Sequence, residues 1–362
     1  MLDLQAILAH VAELGGSDLH IKAGSSPRIR VNGELRPVPF GVVENHDIEE
    51  ALRVVMPVER IEEFHRTGEA DFSLSISNFG RFRGNAFRQR GTAAMVLRRV
   101  LPAALSALDL GLPPVVTRLA EEHRGLVLVT GPTGSGKTTT LAAMIDHINQ
   151  TRSANIITIE DPIEVLHPDK RSIVSQREIG ADTTDYPQAM RRVLRQDPDV
   201  ILIGEMRDTE TVGAALTAAE TGHLVLSTLH TTNATETINR IVDFFPPFQH
   251  HQIRLALAGC LKGVISQRLV GRSDSEGRVP AIEAMVVTGR IADRIIDPAG
   301  SQGESIEELI ADGEYHGMQT FDQSLFSLFK SGDVSLRSAL AAASNPHDFR
   351  VSLQNAGLLP TP

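Results

Sequence analysis

Apolar positions along the chain fall into two different patterns. In the first hundred residues, Leu4, Ile7, Leu8, Val11 and Leu14 recur at helical spacing. They predict a helix over 3–14 that Gly15-Gly16 ends. Alternation then takes over. Strands are predicted at 18–22, 27–31 and 35–38, with Asn32-Gly33 as the hairpin turn between the last two. A helix is predicted over 47–55. Strands over 70–76, 81–90 and 92–100 complete an antiparallel sheet. This is the pattern of a small α+β domain over residues 1–100.

Pro102, Gly111 and Pro113-Pro114 mark a hinge over 101–114. Beyond it, short apolar runs alternate with helical segments. Helices are predicted over 115–122, 139–149, 186–196 and 209–221. Strands are predicted over 126–130, 155–159, 200–203 and 223–227, with a short extended piece at 173–176. Such alternation predicts a parallel sheet flanked by helices. Runs such as Val200-Ile-Leu-Ile203 fit strands buried on both faces. From about Phe248 the pattern turns mostly helical. One helix is predicted over 252–267, a strand near 281–287, and helices from Thr320 and over 335–344. Asn345-Pro346 stops the last of these, and 358–362 reads as a frayed end. The second domain therefore spans 115–362, an α/β core with a C-terminal helical subregion.

The apolar run 126–130 leads into Gly131-Pro132-Thr133-Gly134-Ser135-Gly136-Lys137-Thr138, and Thr139 begins the helical pattern after it. The spacing is that of the phosphate-binding P-loop, between a strand and a helix as that motif requires. Gly131, Gly134 and Gly136 let the backbone turn its N–H groups toward phosphate oxygens. Lys137 can reach the β- and γ-phosphates, and the Thr138 hydroxyl can hold Mg2+. The helix N-terminus adds partial positive charge. A nucleoside triphosphate with Mg2+ is the ligand this pattern fits.

Three further clusters follow from strand ends. Glu205 ends the run Asp199 to Gly204, on the side of a parallel sheet where ligands bind. It can orient an attacking water or accept its proton, or it can be an ordinary surface carboxylate. Gly204 stands where a strand-end Asp is usual, so Mg2+ coordination there would run through water. Glu160, Asp161 and Glu164 gather after another strand, and carboxylates so close favour a shared cation. His223 and His230 bracket the strand between them. His230 can hydrogen-bond a γ-phosphate or serve a structural part. Arg81, Arg83, Arg88, Arg90, Arg98 and Arg99 make the last strands of the small domain basic. They are either a solvated face or arginines offered to a nucleotide held elsewhere.

Composition narrows the classes. A single cysteine, Cys260, excludes internal disulfides and a cysteine zinc cluster and fits a reducing cytoplasm. A net charge of -10 and no Trp argue against a dedicated nucleic-acid binder. No apolar run approaches the ~18 residues of a membrane span, and Met1-Leu-Asp-Leu-Gln lacks the form of a signal peptide.

With these segments in place, the chain resembles the type IV pilus retraction ATPases of the secretion ATPase superfamily. The resemblance rests on Gly16-Ser-Asp-Leu-His20, Gly80-Arg-Phe-Arg83, the P-loop and the acidic box Glu160-Asp-Pro-Ile-Glu164. It also rests on Gly204-Glu-Met-Arg-Asp208, the histidine box His223 to Thr231 and Gly317-Met-Gln-Thr320. It implies a PAS-like N-terminal domain, a RecA-like ATPase domain and a homohexameric ring with ATP between subunits. It further implies Glu205 as catalytic glutamate, with Glu164 and His230 in the active site. The nucleotide-contacting arginines of the small domain fall on Arg83 and Arg98. The implied partner is the pilus platform protein of the inner membrane, met at its cytoplasmic face. The membrane is then touched only through partners, and no stable nucleic-acid complex is expected.

The assembly ATPases of the superfamily carry an extra N-terminal region and a four-cysteine zinc motif, neither of which stands in this sequence. That favours retraction. The family's C-terminal helix is only partly matched by Gly289-Arg-Ile-Ala-Asp-Arg-Ile-Ile-Asp297, which keeps an accessory paralogue open as the alternative. A RecA-like nucleic-acid motor and a non-hydrolysing scaffold are the remaining readings. Acidity disfavours the first, and the second leaves Glu205 without a purpose.

Overall fold

The computed structural model describes residues 2–31, 33–76, 80–100, 105–273, 277–298 and 303–360. Asn32 of the predicted hairpin turn, residues 101–104 of the predicted hinge and the last two residues of the predicted frayed end lie outside the described residues. The chain forms two compact units, Met1–Ala103 with Ile163–Leu166, and Ala104–Pro162 with His167–Pro362. Among the described residues, no helix is long and apolar enough to cross a membrane.

The first unit runs α1 (Leu4–Glu13), β1 (Asp18–Lys22), β2 (Arg28–Val31), β3 (Glu34–Pro37), α2 (Asn45–Val55), α3 (Val58–Thr67), β4 (Glu69–Ile76), β5 (Gly80–Gln89) and β6 (Thr92–Arg99). Its six strands form one antiparallel sheet in the order β3-β2-β1-β6-β5-β4. Strand pleating sends alternate residues to opposite faces. One face carries Leu19, Ile21, Phe72, Phe82, Met95 and Leu97, packed in a single core with Ile7 and Leu8 of α1 and Ile48 and Leu52 of α2. The other face is polar. Across it, Arg30, Asp18, Arg98 and Arg83 stand side by side on β2, β1, β6 and β5. Helix α3 went unpredicted because its sequence is mostly charged; Phe64 is its buried residue, and Gly68 ends it at φ 86.

The second unit begins with α4 (Pro114–Ala120), β7 (Gly125–Thr130), α5 (Lys137–Thr151), β8 (Asn155–Glu160), β9 (Ile173–Glu178), α6 (Tyr186–Val193), β10 (Val200–Ile203) and α7 (Thr209–Glu220). It continues with β11 (Leu224–Leu229), α8 (Ala234–Asp243), α9 (His250–Cys260), β12 (Leu261–Gly271) and β13 (Arg278–Val286). It ends with α10 (Gly289–Ile296), α11 (Ile306–Ala311), α12 (Phe321–Lys330), α13 (Leu336–Ala342) and α14 (Pro346–Asn355). Seven strands lie in the order β13-β12-β7-β11-β10-β8-β9. Among the described residues, neighbouring strands of this sheet pair in parallel except β12 with β13.

Strand β7 lies inside this sheet and is buried throughout. Leu126 and Leu128 pack on one side, with Val212 and Ala215 of α7 and Leu257 of α9. Val127 and Val129 pack on the other, with Val116 and Leu119 of α4 and Leu141 and Ile145 of α5. Burial on both faces is why the run has no polar alternation.

The helix expected over 252–267 is corrected here. It stops at Cys260, and Leu261–Gly271 is a strand paired parallel to β7 and antiparallel to β13. The run holds Val264, Ile265 and Val270, and two strand partners outweigh any local preference for helix. Gly263 adds a packing reason. A Cβ there would meet Leu119 Cδ1 and the Met285 carbonyl oxygen, each at 2.7 Å. We therefore expect Gly263→Ala to lower stability by about 1–3 kcal/mol, read as an earlier urea midpoint at unchanged slope. Wild-type stability in that variant would show that the strand can move aside. Asn345-Pro346 likewise does more than stop a helix. Asn345 caps α14 through its Oδ1, which accepts from the N–H groups of His347 and Asp348, and Pro346 takes the first helical position.

Candidate functional site

The phosphate loop joins β7 to α5. Gly131, Gly134 and Gly136 hold φ of 141, 78 and 95. A side chain at Gly131 would also collide with the Gln267 carbonyl at 2.5 Å and Ser135 Oγ at 2.6 Å. Backbone, β12 and loop are thus in contact there, and only hydrogen fits. Pro132, Thr133 and Gly134 are exposed at the crest, and Thr138 and Thr139 are exposed on the first turn of α5. Ser135 is buried below them, and its Oγ has no partner among the described residues.

Lys137 is only 9% exposed. Its ammonium donates to the Gly131 carbonyl at 2.7 Å and to the Pro132 carbonyl at 3.2 Å. Burial lowers its pKa from the ordinary lysine value, and the Glu205 carboxylate works the other way. A partly desolvated ammonium in a glycine-rich loop that opens the N-terminus of α5 suits an anion. The exposed Thr138 hydroxyl is the oxygen donor beside it, of the hard kind that Mg2+ takes. The residues present therefore fit a Mg2+-bound phosphate chain.

Glu205 follows the end of β10, which neighbouring strands pin on both sides. Gly204 N–H donates to the Ile159 carbonyl of β8 at 2.8 Å, and Thr228 Oγ1 of β11 donates to the Gly204 carbonyl at 2.7 Å. The Tyr186 hydroxyl lies so close that a Cβ at position 204 would meet it at 2.8 Å. This is the physical reason for glycine where a carboxylate might stand. Burial pushes the Tyr186 hydroxyl's pKa up, and the carboxylates of Asp161, Glu160 and Glu205 add to it, so it stays protonated.

Both oxygens of Glu205 are engaged. Arg207 donates to Oε2 at 2.8 Å, and His230 Nε2 lies 3.1 Å from Oε1. Burial alone would raise this carboxyl, but Arg207 and His230 outweigh it and hold it below the usual value. His230 Nδ1 lies 3.4 Å from Lys137 Nζ. An ammonium can only donate, so Nδ1 accepts and the proton sits on Nε2, aimed at Glu205. Lys137, His230 and Glu205 thus form one chain from the phosphate loop to the end of β10. His223 stands apart. Its Nδ1 is 3.0 Å from the Ala218 carbonyl at the end of α7, a structural position.

The acidic box is divided. Glu160 is buried at the end of β8, where Thr158 Oγ1 and Gln176 Nε2 donate to its Oε1 at 2.6 and 3.0 Å. Glu164 belongs to the first unit and faces Arg83 at 3.7 Å. Arg98, directly across the strands from Arg83, donates to Asp18 at 2.7 Å and keeps a side chain 69% exposed.

Sequence reading gave no part to Arg207, Tyr186 or Gln267. Arg207 carried a signal, a cation two residues beyond the strand-end carboxylate. Gln267 carries none, because the apolar spacing of its run predicts a helix.

The family model for Type II/IV secretion system protein matches residues 2–309. The chain is 44% identical to the "Type IV pilus retractation ATPase PilT" of Pseudomonas aeruginosa, over 96% of this chain and 100% of that protein. It is 40% identical to the "Type IV pilus ATPase PilU" of the same organism, over 98% of this chain and 92% of that protein. Among solved structures, a crystal structure of the pilus retraction motor PilT with bound ADP matches at a TM-score of 0.85 and 43% identity, covering 96% of this chain and 99% of that one.

Proposed function

The chain belongs to the Type II/IV secretion system protein family, and we propose on that footing that it is a motor ATPase that retracts a type IV pilus. The observation that carries this reading is the Lys137–His230–Glu205 chain, set in a protein that matches PilT along nearly its whole length. ATP is the substrate. The loop N–H groups and Lys137 hold its β- and γ-phosphates, and the Thr138 hydroxyl would hold Mg2+. When bound, Mg2+ would supply positive charge that neutralises the phosphate chain. Glu205 orients the attacking water and takes its proton. Arg207 and His230 each take one acceptor site of Glu205, which leaves a lone pair on each oxygen for the attacking water. His230 is the natural reporter of phosphate binding, since the γ-phosphate competes for Lys137.

Glu164, Arg83 and Arg98 complete the proposal. The arginines serve the nucleotide of a neighbouring copy in a homohexameric ring. The ring works at the cytoplasmic face of the inner membrane, on the pilus platform protein, and meets the membrane only through partners. Likeness to PilU supports a second reading, an accessory motor for the same fibre. Deleting the gene in the source strain separates the readings. Excess surface pili with lost twitching is the expected result. Retained twitching with reduced force marks the accessory role, and loss of pili overturns retraction.

A further inference from the structure

Thr130 is the last residue of β7 and opens onto Gly131 of the phosphate loop. Across the sheet it pairs with Ser266 of β12, and Ser266 pairs with Glu283 of β13. Thr130 and Ser266 are 0% exposed and Glu283 is 6% exposed. Thr130 Oγ1 donates to Ser266 Oγ at 3.0 Å, which leaves the Ser266 proton for the Glu283 carboxyl. Glu283 Oε1 also accepts a 2.8 Å bond from the N–H of Ala234, the first residue of α8. Only Thr231, Thr232 and Asn233 separate that N–H from His230. The path closes on itself. Strand β11 runs into His230 and on into α8, α8 is tied to Glu283, and Glu283 is tied through Ser266 to the strand that carries the loop.

We propose that Glu283 is a positioning residue for the phosphate chemistry: its ionised carboxylate fixes the first turn of α8 against β12 and so holds His230 between Lys137 and Glu205. This rests on the ATPase reading of that site. Two donors, the Ser266 hydroxyl and the Ala234 N–H, converge on the carboxylate. Protonation removes the negative charge that strengthens both bonds, so the hold on the first turn of α8 weakens. Burial pushes Glu283 up to about 7, which puts this change in the working range. The groups facing it come from every packed element. Helix α8 gives the Ala234 N–H, β12 gives Ser266 and the Arg268 guanidinium, and α11 gives Glu307, whose charge raises it further. Asp322 at the start of α12 bears on Arg268.

The sign is distinctive. Glu283 titrates near 4.5 when unfolded and near 7 when folded, so the native state holds the extra proton between them. Stability therefore falls as pH rises through that window, while positioning of His230 improves. Activity and stability move in opposite directions, which a merely structural carboxyl would not produce.

The test uses the full chain with Mg2+-ATP from pH 5.5 to 8.5, reading kcat, KM, affinity for a fluorescent ADP analogue and thermal midpoint. Wild-type kcat should rise about tenfold across pH 7, the size of the charge assistance that the two bonds gain on ionisation, with KM changed less than about twofold. Glu283→Gln should give the low rate at every pH and remove the opposing slope in thermal midpoint. Ser266→Ala should move the kcat inflexion to higher pH, because it removes a donor to the ionised form. A Glu283→Gln profile that overlays wild type, with Lys137→Ala inactive, overturns this inference and leaves the ATPase reading standing. Absence of Lys137-dependent hydrolysis in wild type overturns that reading itself. If Glu283→Gln fails to fold, an unmoved inflexion in Ser266→Ala overturns the inference.

Discussion

Glu205→Gln should bind ATP with near-normal affinity and hydrolyse it about 10²–10⁴-fold more slowly. The two shapes are alike, so the phosphate loop is untouched and the end of β10 stays pinned by Ile159 and Thr228. What changes is proton affinity. The wild-type carboxylate is kept ionised by Arg207 and His230, and the amide can accept no proton from water. Lys137→Ala differs in kind. It removes the loop's ammonium and its bonds to the Gly131 and Pro132 carbonyls, so binding and turnover should both fall. Fluorescent-nucleotide binding beside steady-state phosphate release distinguishes the two variants. Near-normal turnover by Glu205→Gln would remove this residue from the mechanism.

Arg83→Ala should reduce turnover about 10³-fold or more and should be rescued by a second inactive variant. Arg83 and Arg98 are direct cross-strand partners on the polar face of the first unit's sheet. Like charges so placed repel. Glu164 and Asp18 offset part of that repulsion, yet Arg98 remains largely exposed. Under the motor proposal, that residual positive charge is what a polyphosphate would neutralise. If they serve a neighbouring copy, mixing Arg83→Ala with Lys137→Ala creates some interfaces where an intact loop meets an intact arginine. Activity should then partly return. No recovery at any ratio, with mixed rings shown to form, would sink the assignment to a neighbouring copy.

The phosphate loop was legible because its chemistry is local: glycines, lysine and threonine sit at fixed spacing between a strand and a helix. Glu205 and His230 were legible as strand ends, since parallel sheets bind at that side. Their mutual contact was not. It depends on β11 lying between β7 and β10, an order that no single segment encodes. Glu283 was invisible for a related reason. Its partners come from β12 and α8, and the apolar pattern of β12 runs on without a break from the helix before it. A stretch such as 261–271 is apolar enough for either state, and the strands beside it decide.

Because β12 and β13 are laid against β7, the nucleotide sheet is not complete until residue 286 has been made. A fragment ending at Cys260 keeps every sequence motif of the site. It nonetheless turns β7 into an edge strand, with a row of open N–H and C=O groups beside an apolar surface. It also takes away the Gln267 carbonyl packed against Gly131. The smallest portion that can be studied as a nucleotide-binding piece is therefore set by strand pairing and extends well beyond His230, the last of the site's residues. On a ribosome, the phosphate loop emerges more than a hundred residues before the hairpin that supports it, and a nascent chain stalled between the two offers an open template for aggregation.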